Sequence, residues 1–162
     1  MLFGLGQGFH GAADSYKSEI KRRRLKSVYL IEVTNNARLL NACGVMLTIS
    51  STMAVEALFF EKPIIQLKFI ISKRGSLRKN LYSQGIICDE DGIPLARYGA
   101  ALGVEKPEEL REAIVKIYED ENLRRSVIDK GKVFLRKYAY EPDGKASLRV
   151  LKCIDELIRE VS

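Results

Sequence analysis

The chain has 162 residues, 46% of them hydrophobic and 30% charged, with a formal net charge of +6. Such a length suits one domain that hides about two thirds of its unfolded surface, and the composition excludes a disordered chain. One histidine, His10, and three distant cysteines, Cys43, Cys88 and Cys153, exclude a disulfide framework and a zinc site.

The cysteines are expected to be small core residues in a reducing compartment. No apolar run approaches the ~20 residues of a membrane span. The opening Met1-Leu2-Phe3-Gly4-Leu5-Gly6 lacks the basic start of a signal peptide. A cytoplasmic location is expected.

In chain order, Met1–Leu5 suits a short strand, and Gly6, Gly8 and Gly11 make a loop around Phe9 and His10. Gly4-Leu5-Gly6-Gln7-Gly8 is a poor match to a phosphate-binding glycine loop, since the third glycine is misplaced. Ala13 to about Leu25 predicts a basic amphipathic helix with Tyr16 and Ile20 one turn apart. Ser27–Val33 is rich in β-branched and aromatic residues and predicts a strand. Thr34, Asn35 and Asn36 are capping residues for a helix over Ala37–Ala42, which Gly44 ends.

Val45–Ile49 is a continuous apolar strand of the kind buried on both faces of a parallel sheet. Ser50-Ser51-Thr52 starts a helix to about Phe60, Lys62-Pro63 stops it, and Pro63–Leu67 is the next strand. A loop over Lys68–Ser76, a helix over Leu77–Ser83 ended by Gly85, a strand at Ile86–Cys88 and a turn at Asp89–Gly92 follow. The stretch Ile93–Val104 carries the weakest pattern. Pro107 opens a helix with a stripe of Leu110, Ala113, Ile114 and Ile117, and a second helix repeats it with Leu123, Val127, Gly131 and Phe134. A last helix from about Lys145 to Val161 aligns Val150, Leu151, Ile154, Leu157, Ile158 and Val161.

Strands alternating with helices predict an α/β fold: a Rossmann-like parallel sheet flanked by helices, with a helical carboxyl-terminal segment. Basic residues cluster at Lys21–Arg24 with Lys26, and again at Lys73, Arg74, Arg78 and Lys79. Two readings stand for the first cluster: a solvated helix face, or a surface for an anionic partner such as a peripheral membrane. Nucleic acid is disfavoured, because no aromatic residue interrupts the basic run and only Tyr16 and Tyr29 flank it.

The chemistry concentrates at Ser50–Glu56. Ligands of open α/β sheets bind beyond the carboxyl ends of the strands, where the turn after Ile49 lies. The first N–H groups of the following helix lack internal partners and attract anions. Ser50, Ser51 and Thr52 add three hydroxyls there, so a diphosphate is the expected ligand. Glu56, one turn after Thr52, suits the vicinal diol of a ribose. The bland alternative is an ordinary capped helix with an acid placed to suit its dipole.

The run Asn36–Ile65, with Gly44, Ser50-Ser51-Thr52, Glu56-Ala57 and Lys62-Pro63 in that order, resembles the donor-binding half of GT-B glycosyltransferases. Further on, Gln84-Gly85-Ile86, Lys106-Pro107-Glu108-Glu109-Leu110 and Tyr118-Glu119-Asp120 fall in the order of that family. Asp143-Gly144-Lys145-Ala146-Ser147 with Arg149-Val150 is similar to the tail of non-hydrolysing UDP-N-acetylglucosamine 2-epimerases and related capsule transferases. The resemblance implies that Ser50, Ser51 and Thr52 hold the diphosphate and Glu56 the ribose. It also implies that the backbone around Val33 and Thr34 meets the base. The family often has a His-Pro facing the cleft where this chain has His10-Gly11, so two readings stand for His10: a cleft residue, or the structural role more usual for a lone histidine. The donor is a nucleotide-sugar, read as a UDP-sugar; no metal and no further cofactor are implied.

Three departures qualify the resemblance. Gly44 stands where Asp is common; Ser51-Thr52 and a single Glu56 replace the epimerases' glycines and paired Glu; and Lys68-Phe69-Ile70-Ile71 replaces their Arg-rich run. Epimerase chemistry is therefore disfavoured. The acceptor domain of a two-domain transferase is not found in residues 1–162. The expected function is thus the donor half of a glycosyltransferase of polysaccharide or lipid-linked glycan synthesis, completed by a separate acceptor subunit or a homodimer. The alternative is a catalytically inactive, nucleotide-binding or self-associating relative.

Overall fold

The computed structural model describes residues 2–4, 12–31, 35–49, 51–69, 93–139, 141 and 143–161. Their contacts divide the chain into two compact units, Met1–Ala42 and Cys43–Ser162. Both are built from parallel strands and helices, so the fold class is α/β as the pattern predicts.

The first unit runs β1 (Leu2–Gly4), α1 (Ala12–Arg22), β2 (Tyr29–Ile31) and α2 (Asn36–Ala42). β1 and β2 pair in parallel, with Leu2 opposite Tyr29 and Gly4 opposite Ile31, and α1 is the crossover that a parallel pair requires. Along α1, Ala13 is buried and Ile20 half-buried, while Tyr16 is exposed. The helix stops three residues before the expected Leu25. Arg24 adopts φ 53, Leu25 N–H donates to Ile20 O and Arg24 N–H to Lys21 O, each at 3.1 Å. This is the reversal that usually ends a helix on glycine, here made by an arginine. α2 is capped by Asn35, whose Oδ1 accepts from Arg38 N–H at 3.2 Å.

The second unit runs β3 (Met46–Thr48), α3 (Thr52–Phe59), β4 (Ile64–Leu67) and β5 (Leu102–Val104). A 3-10 turn (Pro107–Glu109) then leads to α4 (Leu110–Glu119), α5 (Glu121–Tyr138) and α6 (Ala146–Val161). The strand order is β3-β4-β5, all parallel, with Thr48 opposite Gln66 and Leu67 opposite Val104. β4 is central, which explains its apolar sequence: Ile64 and Ile65 are fully buried. β5 lies inside the stretch of weakest pattern, because it is three residues long with a glycine in the middle. A Cβ at Gly103 would sit 3.2 Å from Ala96 Cβ and 3.3 Å from Lys68 Cδ, so the glycine permits a close approach.

The core joins Ile65 and Val104 of the sheet to Ala113 and Ile117 of α4 and Val127 of α5, with Leu110, Ile114 and Leu123 packed at its margin. The two predicted stripes therefore face inward. Each buried isoleucine contributes roughly 1.5–3 kcal/mol. α5 starts on Asp120, whose Oδ1 accepts from Leu123 N–H at 2.9 Å. Its Gly131 is buried against α3, where a Cβ would come within 2.8 Å of Leu58 Cδ2.

Two expectations need correction. Lys68 and Phe69 are helical rather than the start of a loop. The cysteines are not uniformly core residues: Cys43 is half-buried and Cys153 exposed, because α6 buries no described side chain. On that helix Leu148, Val150, Leu151, Leu157 and Ile158 are each 57–63% exposed. The expected glycine loop at 5–11, the elements at 77–92 and Cys88 lie outside the described residues. Among the described residues, no helix is long and apolar enough to cross a membrane.

Candidate functional site

The parallel strands of the second unit end at Thr48, Leu67 and Val104 on one edge of the sheet. The turn into α3 leaves from that edge. Ser51 has extended backbone (φ −154, ψ 138) and caps α3: its Oγ accepts from Met53 N–H at 3.2 Å. Ser51 O accepts from Ala54 N–H at 3.0 Å. The hydroxyl can also donate its own proton, and Thr52 N–H has no partner among the described residues. A helix N-terminus with these two donors presents partial positive charge.

α3 is two-sided. Ala54, Ala57 and Leu58 are buried, and the two small alanines let the helix pack closely. Thr52 is exposed and Glu56 half-buried one turn later. Thr52 and Glu56 therefore share a side of α3. Ser50, Val33, Thr34 and His10 lie outside the described residues. Of the seven expected site residues, Ser51, Thr52 and Glu56 are described: Ser51 and Thr52 at the turn into α3, and Glu56 one turn along that helix.

Gln66 belongs to this edge although its sequence position suggests only a strand. It is 2% exposed. Its Nε2 donates to Ile93 O at 2.9 Å and, at a longer 3.4 Å, to Ile49 O; its Oε1 accepts from Ala96 N–H at 3.0 Å. A buried amide is stable only when bonded in this way. Gln66 thereby ties the end of β3, just before the Ser51 turn, to the 93–96 segment. The available signal was a lone amide inside the apolar run Ile64–Leu67.

Beside Gln66 opens a cavity of about 340 Å³ lined by Lys68, Pro94, Ala96, Arg97, Gly103 and Glu105. Lys68 Nζ pairs with Glu105 Oε1 at 2.6 Å, so its charge is partly answered within the chain. Lys73 and Arg74 of the second basic cluster lie outside the described residues.

Gly44, where the resembling family commonly has Asp, adjoins α4: a Cβ there would meet Tyr118 OH at 2.8 Å. Burial pushes the Cys43 thiol up, and its Sγ donates to Val45 O at 3.0 Å. Among the described residues, no cluster of His, Cys, Asp and Glu suits a metal ion. The site gathers hydroxyl and backbone donors and the Glu56 carboxylate at the start of α3, with a small cavity beside Gln66. No protein-family model, no curated protein and no solved structure matches the chain.

Proposed function

We propose that the turn at Ser50–Thr52 and the start of α3 bind the diphosphate of a nucleotide-sugar, with Glu56 on the ribose. The observation that carries this reading is the Ser51 cap at the carboxyl edge of a parallel sheet, with Thr52 N–H unpartnered among the described residues and Glu56 one turn away. In this reading the chain is the donor half of a GT-B-type glycosyltransferase acting in glycan synthesis, with a UDP-sugar as donor. Catalysis is electrostatic: hydroxyls and helix dipole stabilise the departing nucleoside diphosphate, with no metal required. A separate acceptor subunit or a second copy completes the enzyme, and the exposed apolar side of α6 supports such a contact.

The test is calorimetric titration of UDP, GDP, CDP and their sugars into the full chain. One nucleotide series binds, and Ser51→Ala weakens it about tenfold or more, since a hydrogen bond to a charged group is worth roughly 1.5–3 kcal/mol. Glu56→Ala weakens the nucleotide but not inorganic pyrophosphate. Absence of binding by every nucleotide sinks the reading. Nucleotide affinity that survives Glu56→Ala removes the ribose assignment.

A further inference from the structure

The first unit holds a second candidate site. Lys17, Ile20, Lys21, Arg24, Leu25, Lys26, Val28, Tyr29 and Leu30 line an open groove of about 600 Å³. It is formed where α1 ends and β2 begins. It therefore lies at the edge of the β1–β2 pair opposite the one from which those strands' carboxyl ends lead. Four cations line it and no carboxylate does.

The basic run is divided into two groups by its pairing. Arg22 and Arg23 both bond Glu19, at 2.6 and 2.5 Å, and neither lines the groove. Lys21, Arg24 and Lys26 do line it and make no ion pair among the described residues. Arg24 is presented from the left-handed backbone that ends α1. Unanswered like charges held together repel, and a bound anion relieves that repulsion.

The floor selects among anions. Ile20, Val28 and Leu30 are half-buried beneath the cations, and Leu25 and Tyr29 stand 44% and 61% exposed at the rim. Among the lining residues only Tyr29 offers a face on which a nucleic-acid base could stack, whereas single-strand binders stack successive bases on several aromatics. Cations beside exposed aliphatic and tyrosine side chains match the boundary between lipid headgroups and acyl chains.

We propose that this groove docks the chain on an anionic membrane surface. Lys21, Arg24 and Lys26 take the lipid phosphates, while Leu25 and Tyr29 enter the interface. This holds whether or not the second unit binds a nucleotide-sugar.

The test is co-sedimentation of the full chain with phosphatidylcholine vesicles and with vesicles enriched in phosphatidylglycerol. The chain binds the second and not the first, and rising salt releases it. Lys21→Glu with Arg24→Glu lowers partitioning at least about tenfold, since each basic residue near an anionic leaflet contributes roughly fivefold. Leu25→Ser lowers it several-fold, a change to which binding through charge alone is blind. Circular dichroism confirms that the variants fold. Should they not, the salt series on the unaltered chain decides, and salt-insensitive binding overturns the proposal. Equal binding to both vesicles also overturns it, as does an unchanged partition after charge reversal. Capture of single-stranded RNA at a salt concentration where vesicles are not bound assigns the groove to nucleic acid instead.

Discussion

Ser51 and Gln66 meet at the same sheet edge but differ in how readable they are. The cap bond of Ser51 spans two residues, so its sequence context was sufficient to predict it. The partners of Gln66 lie 17, 27 and 30 residues away, so only folding brings them together. Gln66→Leu keeps most of the volume but leaves Ile93 O and Ala96 N–H unpaired in a buried place. Each unpaired group costs about 1–3 kcal/mol, so urea unfolding is expected to show a loss of roughly 2–4 kcal/mol. An unchanged midpoint would show that water replaces the amide and that Gln66 braces nothing.

At the scale of elements, α5 is the clearest case of a helix whose sequence bends to its neighbour. Gly131 sits mid-helix, where Ala is favoured by about 1 kcal/mol. Leu58 of α3 fills the space a Cβ needs and is 4% exposed, so it cannot swing into solvent. Overpacking of this kind costs roughly 1–3 kcal/mol. Gly131→Ala therefore lowers the melting temperature despite better propensity, and adding Leu58→Ala to it costs less than the two single losses together.

α1 is tuned by charge instead. Hydrogen bonds from Arg22 and then Arg23 hold the Glu19 carboxyl down to about 2, from an ordinary 4.5. A depressed acid stabilises the fold above its unfolded value and ceases to do so as pH falls through the folded one. The contribution is thus complete above about 4.5 and fades toward about 2. Difference circular dichroism between the unaltered chain and Glu19→Gln should show this acid-dependent loss of helix in the former only.

For the molecule as a whole, α6 differs from the other helices in its surface. Its stripe was predicted from spacing, as were those of α4 and α5, yet only the latter two bury theirs. An amphipathic pattern records that a helix is suited to a covering surface; it does not say which surface, or whether this chain supplies it. Leu151→Glu with Leu157→Glu should leave the melting temperature of the dilute chain unchanged. A drop of several degrees would show that the face packs within the chain.

Short-range physics explains what the sequence alone determined: the α/β order, the capping runs Thr34–Asn36 and Ser50–Thr52, the core stripes of α4 and α5, and a donor-rich turn after β3. Capping bonds and helical periodicity act within a few residues, so they can be read locally. Tertiary structure decided the rest. It placed β5 beside β4, turned Gln66 into a brace, separated Arg22 and Arg23, which pair with Glu19, from Lys21, Arg24 and Lys26 of the groove, and left the described apolar residues of α6 exposed. Each of those outcomes depends on which distant residues arrive as neighbours, and a local pattern is the same whichever neighbours come.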